Sequence, residues 1–139
     1  MKENHIEGAW ISLILRLAMA ALFLGAAVPK FQHGLGSIVP AFQGMFKDSW
    51  LPMPLVTLHA RCVPWIEAGL VAWLITGFRL RWAWTVAGLF LTSLAFGMIV
   101  VGKGDVAVGN FSYVLISCVG LYFSRYDRWS VDGINRGSK

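Results

Sequence analysis

The sequence is short of charge. Only 14% of its 139 residues are Asp, Glu, Lys or Arg, while 57% are hydrophobic and the mean hydropathy is +0.63. A soluble domain keeps about a quarter of its residues charged in order to wet its surface. This chain lacks the polar groups for that, so lipid is the expected cover. Cysteine is scarce as well. Cys62 and Cys118 form neither a CxxC pair nor a zinc spacing, and each is read as a small buried hydrophobe. Glycine-rich phosphate loops, nucleophilic triads and carboxylate metal clusters are missing, so hydrolytic chemistry of the soluble kind is not expected. Bases exceed acids by only 12 to 7. They sit mostly in short connections and toward the C-terminus, where membrane topology rather than nucleic acid accounts for them.

Long apolar runs are what the chain does have. Four of them, near residues 9–31, 55–77, 81–101 and 106–124, are long enough to cross about 30 Å of hydrocarbon at roughly 20 residues each. The first is read as a retained helix rather than a signal peptide, because its head is not basic, it is long, and Arg16 interrupts it. The predicted fold is therefore a single all-α, up-down-up-down four-helix membrane bundle. Phe78-Arg79-Leu80-Arg81 and Gly102-Lys103-Gly104-Asp105 make tight turns. The connection from Gln32 to Pro54 is longer, and its apolar part, Ser37 to Phe46, is expected to lie on the membrane or dip into it. A lid over a site on that face is the sharper version.

Base counting sets the orientation. Lys2, Arg79, Arg81, Arg125, Arg128, Arg136 and Lys139 share the side of the termini, against Lys30, Lys47, Arg61 and Lys103 opposite. The positive-inside rule then puts both termini in the cytoplasm. Trp10, Trp50, Trp82, Trp84 and Trp129 fall near the proposed interfaces as an aromatic belt, with Trp65 and Trp73 deeper.

Glu67 and Arg16 are the awkward residues. Each sits inside an apolar run, where a charge costs about 2.5–3.5 kcal/mol unless it finds protein or water. Helical spacing places Arg16, Phe23 and Lys30 on one stripe with Ser12, Ala20 and Ala27. Helix rise allows Arg16 and Glu67 to pair, with Lys30 near the opposite interface. On the fourth run Asn110, Tyr113, Ser117, Gly120 and Ser124 recur every three or four residues. Thr85, Gly88, Thr92 and Ala95 on the third run read as a packing seam. His33 and His59 are taken as ordinary outer-surface histidines.

Two readings compete for this set. In one, Arg16, Glu67 and the hydroxyls of the fourth run are an internal network that fixes packing. In the other, Arg16, Lys30, Glu67, Asn110, Tyr113 and Ser117 line a pocket for a polar-headed lipophilic ligand, quinone being the chemical candidate. No metal site and no catalytic residue is assigned.

Leu15-Arg16-Leu17-Ala18, Gly25, Lys30-Phe31 and the Trp50-Leu51-Pro52 turn form an ordered series. Glu67-Ala68-Gly69, Gly77-Phe78-Arg79, Arg125-Tyr126 and Ser130-Val131-Asp132 continue it. With these motifs the chain resembles the DoxX family of small four-helix membrane proteins over about residues 11–132, with Asp127-Arg128-Trp129 as an insertion. The resemblance implies a prokaryotic cytoplasmic membrane protein, a membrane subunit or anchor of a quinone-linked redox system. Its implied partners are lipid and other redox or membrane subunits, and Arg16, Lys30 and Glu67 match the family's charged positions. A purely structural accessory subunit of a larger membrane complex is the rival expectation.

Overall fold

The computed structural model describes residues 2–131 and 134. Asp132, Arg136 and Lys139, used above, lie outside them. Five α-helices follow in order: α1 (Lys2–Gln32), α2 (Ile38–Met45), α3 (Met53–Thr76), α4 (Leu80–Val100) and α5 (Gly104–Phe123). Short 3-10 turns precede α2 (Leu35–Ser37) and follow α5 (Ser124–Tyr126). No strand occurs among the described residues. Four helices are long and apolar enough to cross a membrane, with α2 the short one between them.

Local chemistry sets the boundaries. Pro54 occupies the start of α3, where its missing N–H costs nothing. Gly77 ends α3 in the left-handed region at φ 68°, donating its N–H to the Trp73 carbonyl. Its missing Cβ matters twice, since a methyl there would also overlap the Ser130 side chain. Arg79, at φ 45°, completes the reversal into α4.

The helices close into a ring in which α1 packs on α3, α3 on α4, α4 most extensively on α5, and α5 back on α1. The core holds Met19, Phe23, Val63, Leu70, Leu74 and Trp84. Of the small-residue seam expected on α4, Ala95 is buried and Gly88 meets Ser117 of α5, with Ala83 and Ala87 buried beside them, whereas Thr92 is exposed and bonds the Gly88 carbonyl of its own helix. Trp84 is also inside, not in the interfacial belt. Its indole lies against Gly120, where any Cβ would collide with the ring, so glycine is what lets α4 and α5 approach. Ile14, Leu58, Trp65, Leu89 and Leu115 all face outward. Such an apolar exterior fits lipid as solvent. Both cysteines join that exterior, exposed and unbridged, contrary to the buried positions expected for them.

α2 lies across the N-terminal half of α3, where Gln43 Nε2 donates to Thr57 Oγ1 at 3.0 Å. Phe46 continues from it, is buried, and reaches Gly97 of α4. The connection expected to lie on the membrane is thus a short helix bracing two spans. Its end of the bundle is called distal below. The end where Trp10 meets Trp129, ring centroids 4.6 Å apart, is called proximal.

Candidate functional site

The α1 stripe faces the bundle as its spacing requires: Ser12, Arg16, Ala20, Phe23 and Ala27 are buried and Lys30 half-buried. The partners of its two cations differ from the expected ones. Arg16 does not pair with Glu67. Its Nη1 donates to both carboxylate oxygens of Asp127, at 3.1 and 3.0 Å. Its Nε and Nη2 donate to the carbonyls of Leu74 and Ile75, each at 2.8 Å. Ser12 Oγ adds a bond to Asp127 at 2.8 Å.

This geometry has a simple cause. The last carbonyls of a helix have no partner within it and carry the negative end of its dipole. At the close of α3 the chain turns away at Gly77, and Arg16 reaches in from α1 to cap them. The remaining positive charge is neutralised by Asp127, whose side chain is 1% exposed. One guanidinium thereby ties α1, α3 and the segment after α5. Asp127 was read as part of an insertion; the available signal was an acid just beyond the fourth run, on the side of the membrane that Arg16 occupies.

Glu67 takes the other cation. Lys30 Nζ lies 2.6 Å from each Glu67 carboxylate oxygen. The carboxylate is enclosed, with 4% exposure, while the lysine side chain is 25% exposed. Glu67 lies nine residues from the proximal end of α3, about 14 Å along the axis. The Lys30 amine is therefore drawn inward to it, joining α1 to α3 at a second depth. Arg16, Lys30 and Glu67 are thus each balanced within the chain, as a medium without water requires of buried charges.

The rest of the expected pocket does not gather around these pairs in the hydrogen-bond pattern. Ser117 is buried against Gly88 and donates to the Tyr113 carbonyl of its own helix. Asn110 and Tyr113 are half-buried, and Tyr113 packs on the apolar core. No group of three or more His, Cys, Asp or Glu suited to a metal occurs among the described residues.

An apolar cavity lies elsewhere in the bundle. A space of about 200 Å³ sits under α2 at the distal end, between α3 and α4, walled by Phe42, Phe46, Leu55, Val56 and Leu94. His59 projects among these apolar walls, with its ring 6.4 Å from that of Phe42 and 6.5 Å from that of Phe90. Its imidazole makes no hydrogen bond among the described residues, and the nearby Ser93 hydroxyl is spent on the Phe90 carbonyl. The histidine expected to be an ordinary surface residue is half-buried in a cavity wall. Only the fold of α2 reveals this, so spacing within α3 could not.

Four apolar spans in a ring, with paired charges inside and aliphatic side chains outside, define a small multi-pass membrane protein. Comparison with known families narrows this. The family described as methylamine utilisation protein MauE matches residues 8–109, and the chain belongs to that family. The match includes Arg16, Lys30, His59 and Glu67 and stops short of Ser117 and Asp127. The DoxX resemblance is met at the coarser level of a small membrane family; the family shown is MauE. No curated protein and no solved structure matches the chain.

Proposed function

We propose that this protein is a membrane-embedded component of a redox-linked system, and that the cavity under α2 receives the ring of a lipophilic, quinone-type molecule. The family's description, methylamine utilisation, supports a place beside an amine-oxidising machinery. The DoxX-like motifs favour the quinone as ligand and the prokaryotic cytoplasmic membrane as the location, and the distribution of bases favours termini inside.

The observation that carries the ligand is His59 in its cavity. An apolar space of this size takes a flat ring but not a polar solute, and a cavity with one polar group orients what it binds. The imidazole offers a donor or an acceptor to a ring oxygen. Leu55 and Phe96 at the rim are exposed toward the acyl chains, leaving a path for an isoprenoid tail. In this reading Arg16, Lys30 and Glu67 hold the frame, while Asn110, Tyr113 and Ser117 pack α5.

The test is extraction of quinone from protein isolated with its native lipid. The native chain should carry quinone, and His59→Phe and Gly97→Leu should each lose most of it while remaining folded. Equal quinone in the native chain and both variants would overturn the assignment. The engagement of both intramembrane acid–base pairs in helix ties favours a second reading, that of a structural accessory subunit. That reading expects cavity variants to leave turnover of the assembled system unchanged.

A further inference from the structure

We propose that the outward face of α3 docks a membrane span of another subunit, and that an acidic side chain on that span pairs with Arg61. This deepens the reading of the chain as one component of a larger membrane system and does not depend on what the cavity under α2 holds. Arg61 is exposed on α3 and makes no hydrogen bond, ion pair or ring contact among the described residues. It lies eight residues from the distal start of α3, about 12 Å along the axis. A cation inside a span is costly unless an anion or water meets it. The chain supplies acids to Arg16 and Lys30 and none to Arg61.

The surface around Arg61 has the shape of a helix seat. Leu58, Arg61, Trp65, Gly69, Ala72 and Thr76 recur every three or four residues and are all exposed. Gly69, Ala72 and Thr76 border a groove of about 510 Å³ between α3 and α4, with Trp73 and Phe78 also in its walls. A Cβ on Gly69 would meet nothing within 4 Å, so the groove is open there to the side chains of a neighbour. Arg61 stands about 12 Å distal to Gly69 along the helix. The partner's acid is therefore expected about eight residues along its own span from the point where it crosses Gly69.

Charge and depth decide among occupants. A second copy seated face to face would bring two Arg61 side chains together. Its acids do not suit the level either: Glu67 is enclosed with Lys30, while Asp48 and Asp105 lie in the connection before α3 and in the first turn of α5. A lipid phosphate is disfavoured by depth. A long side chain on a helix leans over the turn N-terminal to its own Cα, which for Arg61 is the turn of Thr57. Gln43 of α2 is bonded to Thr57 there, so α2 stands between Arg61 and the distal headgroups. A carboxylate held at the depth of Arg61 by a neighbouring span meets no such obstacle, and a guanidinium binds it through two parallel N–H groups.

Cys62, exposed beside Arg61, gives the test its handle. The full chain with Cys118→Ser is labelled at Cys62 with a benzophenone maleimide in native membranes, irradiated, and the captured peptide sequenced. The peptide should come from a span of another protein that contains Asp or Glu. Arg61→Gln should cut the adduct about fivefold, the scale of one polar pair between spans, and Arg61→Lys should keep most of it. Gly69→Leu, which fills the groove and leaves the charge, should cut it as well. Arg61→Glu should abolish the adduct, and changing the partner's acid to Arg should restore it. Arg61→Gln should leave both the unfolding midpoint in detergent and the quinone content unchanged, which separates this proposal from the cavity reading. The proposal is overturned if Arg61→Gln or Gly69→Leu leaves the adduct intact, if the captured span has no acid, if only lipid or a second copy is captured, if the charge exchange fails to restore the adduct, or if Arg61→Gln lowers the unfolding midpoint.

Discussion

Replacing Asp127 by alanine should strand a charge. Arg16 would keep its bonds to the Leu74 and Ile75 carbonyls but lose both contacts near 3 Å to a carboxylate. With the arginine 3% exposed, water cannot take the carboxylate's place without opening the bundle. Removing one partner of a buried ion pair costs about 3–5 kcal/mol, and the surviving carbonyl bonds put this case near the lower end. Adding Arg16→Met removes the stranded charge yet uncovers the two carbonyls, each worth about 1 kcal/mol. The double variant should therefore recover part of the loss, not all of it. The assay is unfolding in mixed micelles of rising denaturing-detergent content, followed by tryptophan fluorescence. Limited proteolysis should show the chain beyond Ser124 released in Asp127→Ala. If Asp127→Ala unfolds within about 0.5 kcal/mol of the native chain, or the double variant is weaker than Asp127→Ala alone, the capping argument is wrong.

Three further outcomes follow from the packing. Glu67→Gln should cost about 1–2 kcal/mol in the same assay, less than Asp127→Ala, because the partly exposed Lys30 amine retreats to the interface. Gly77→Ala should cost about 1–2 kcal/mol for its left-handed backbone alone, and more from the overlap with Ser130. A thermal scan showing no change would remove the αL cap from the account. Gly120→Ala should destabilise by about 1–3 kcal/mol through collision with the Trp84 indole, and pairing it with Trp84→Leu should restore part of the loss.

The bundle was legible because apolar length is a strong signal in a membrane protein. The four expected runs agree with the described spans to within a few residues. The buried face of α1 was legible too, since Ser12, Arg16, Phe23 and Lys30 recur at helical spacing. What spacing cannot give is which partner fills each charge. Arg16 and Glu67 lie at neighbouring depths, so pairing them looked natural. It neglected the unpaired carbonyls at the end of α3, which attract a guanidinium, and an acid placed after α5 rather than in a span. Trp84 was misplaced for a related reason. Position near a helix end suggests an interface, but Gly120 on another helix makes the room that buries it. The place of His59 in a cavity wall depends on α2 folding back over α3, a tertiary fact with no local signature.

The central claim is that the intramembrane charges are matched as Arg16 with Asp127 and Lys30 with Glu67. Double-mutant cycles on unfolding free energy measure this directly. Glu67→Gln should couple to Lys30→Gln by more than about 1 kcal/mol and to Arg16→Gln by less than about 0.5 kcal/mol. A larger coupling of Glu67 to Arg16 than to Lys30 would contradict the pairing.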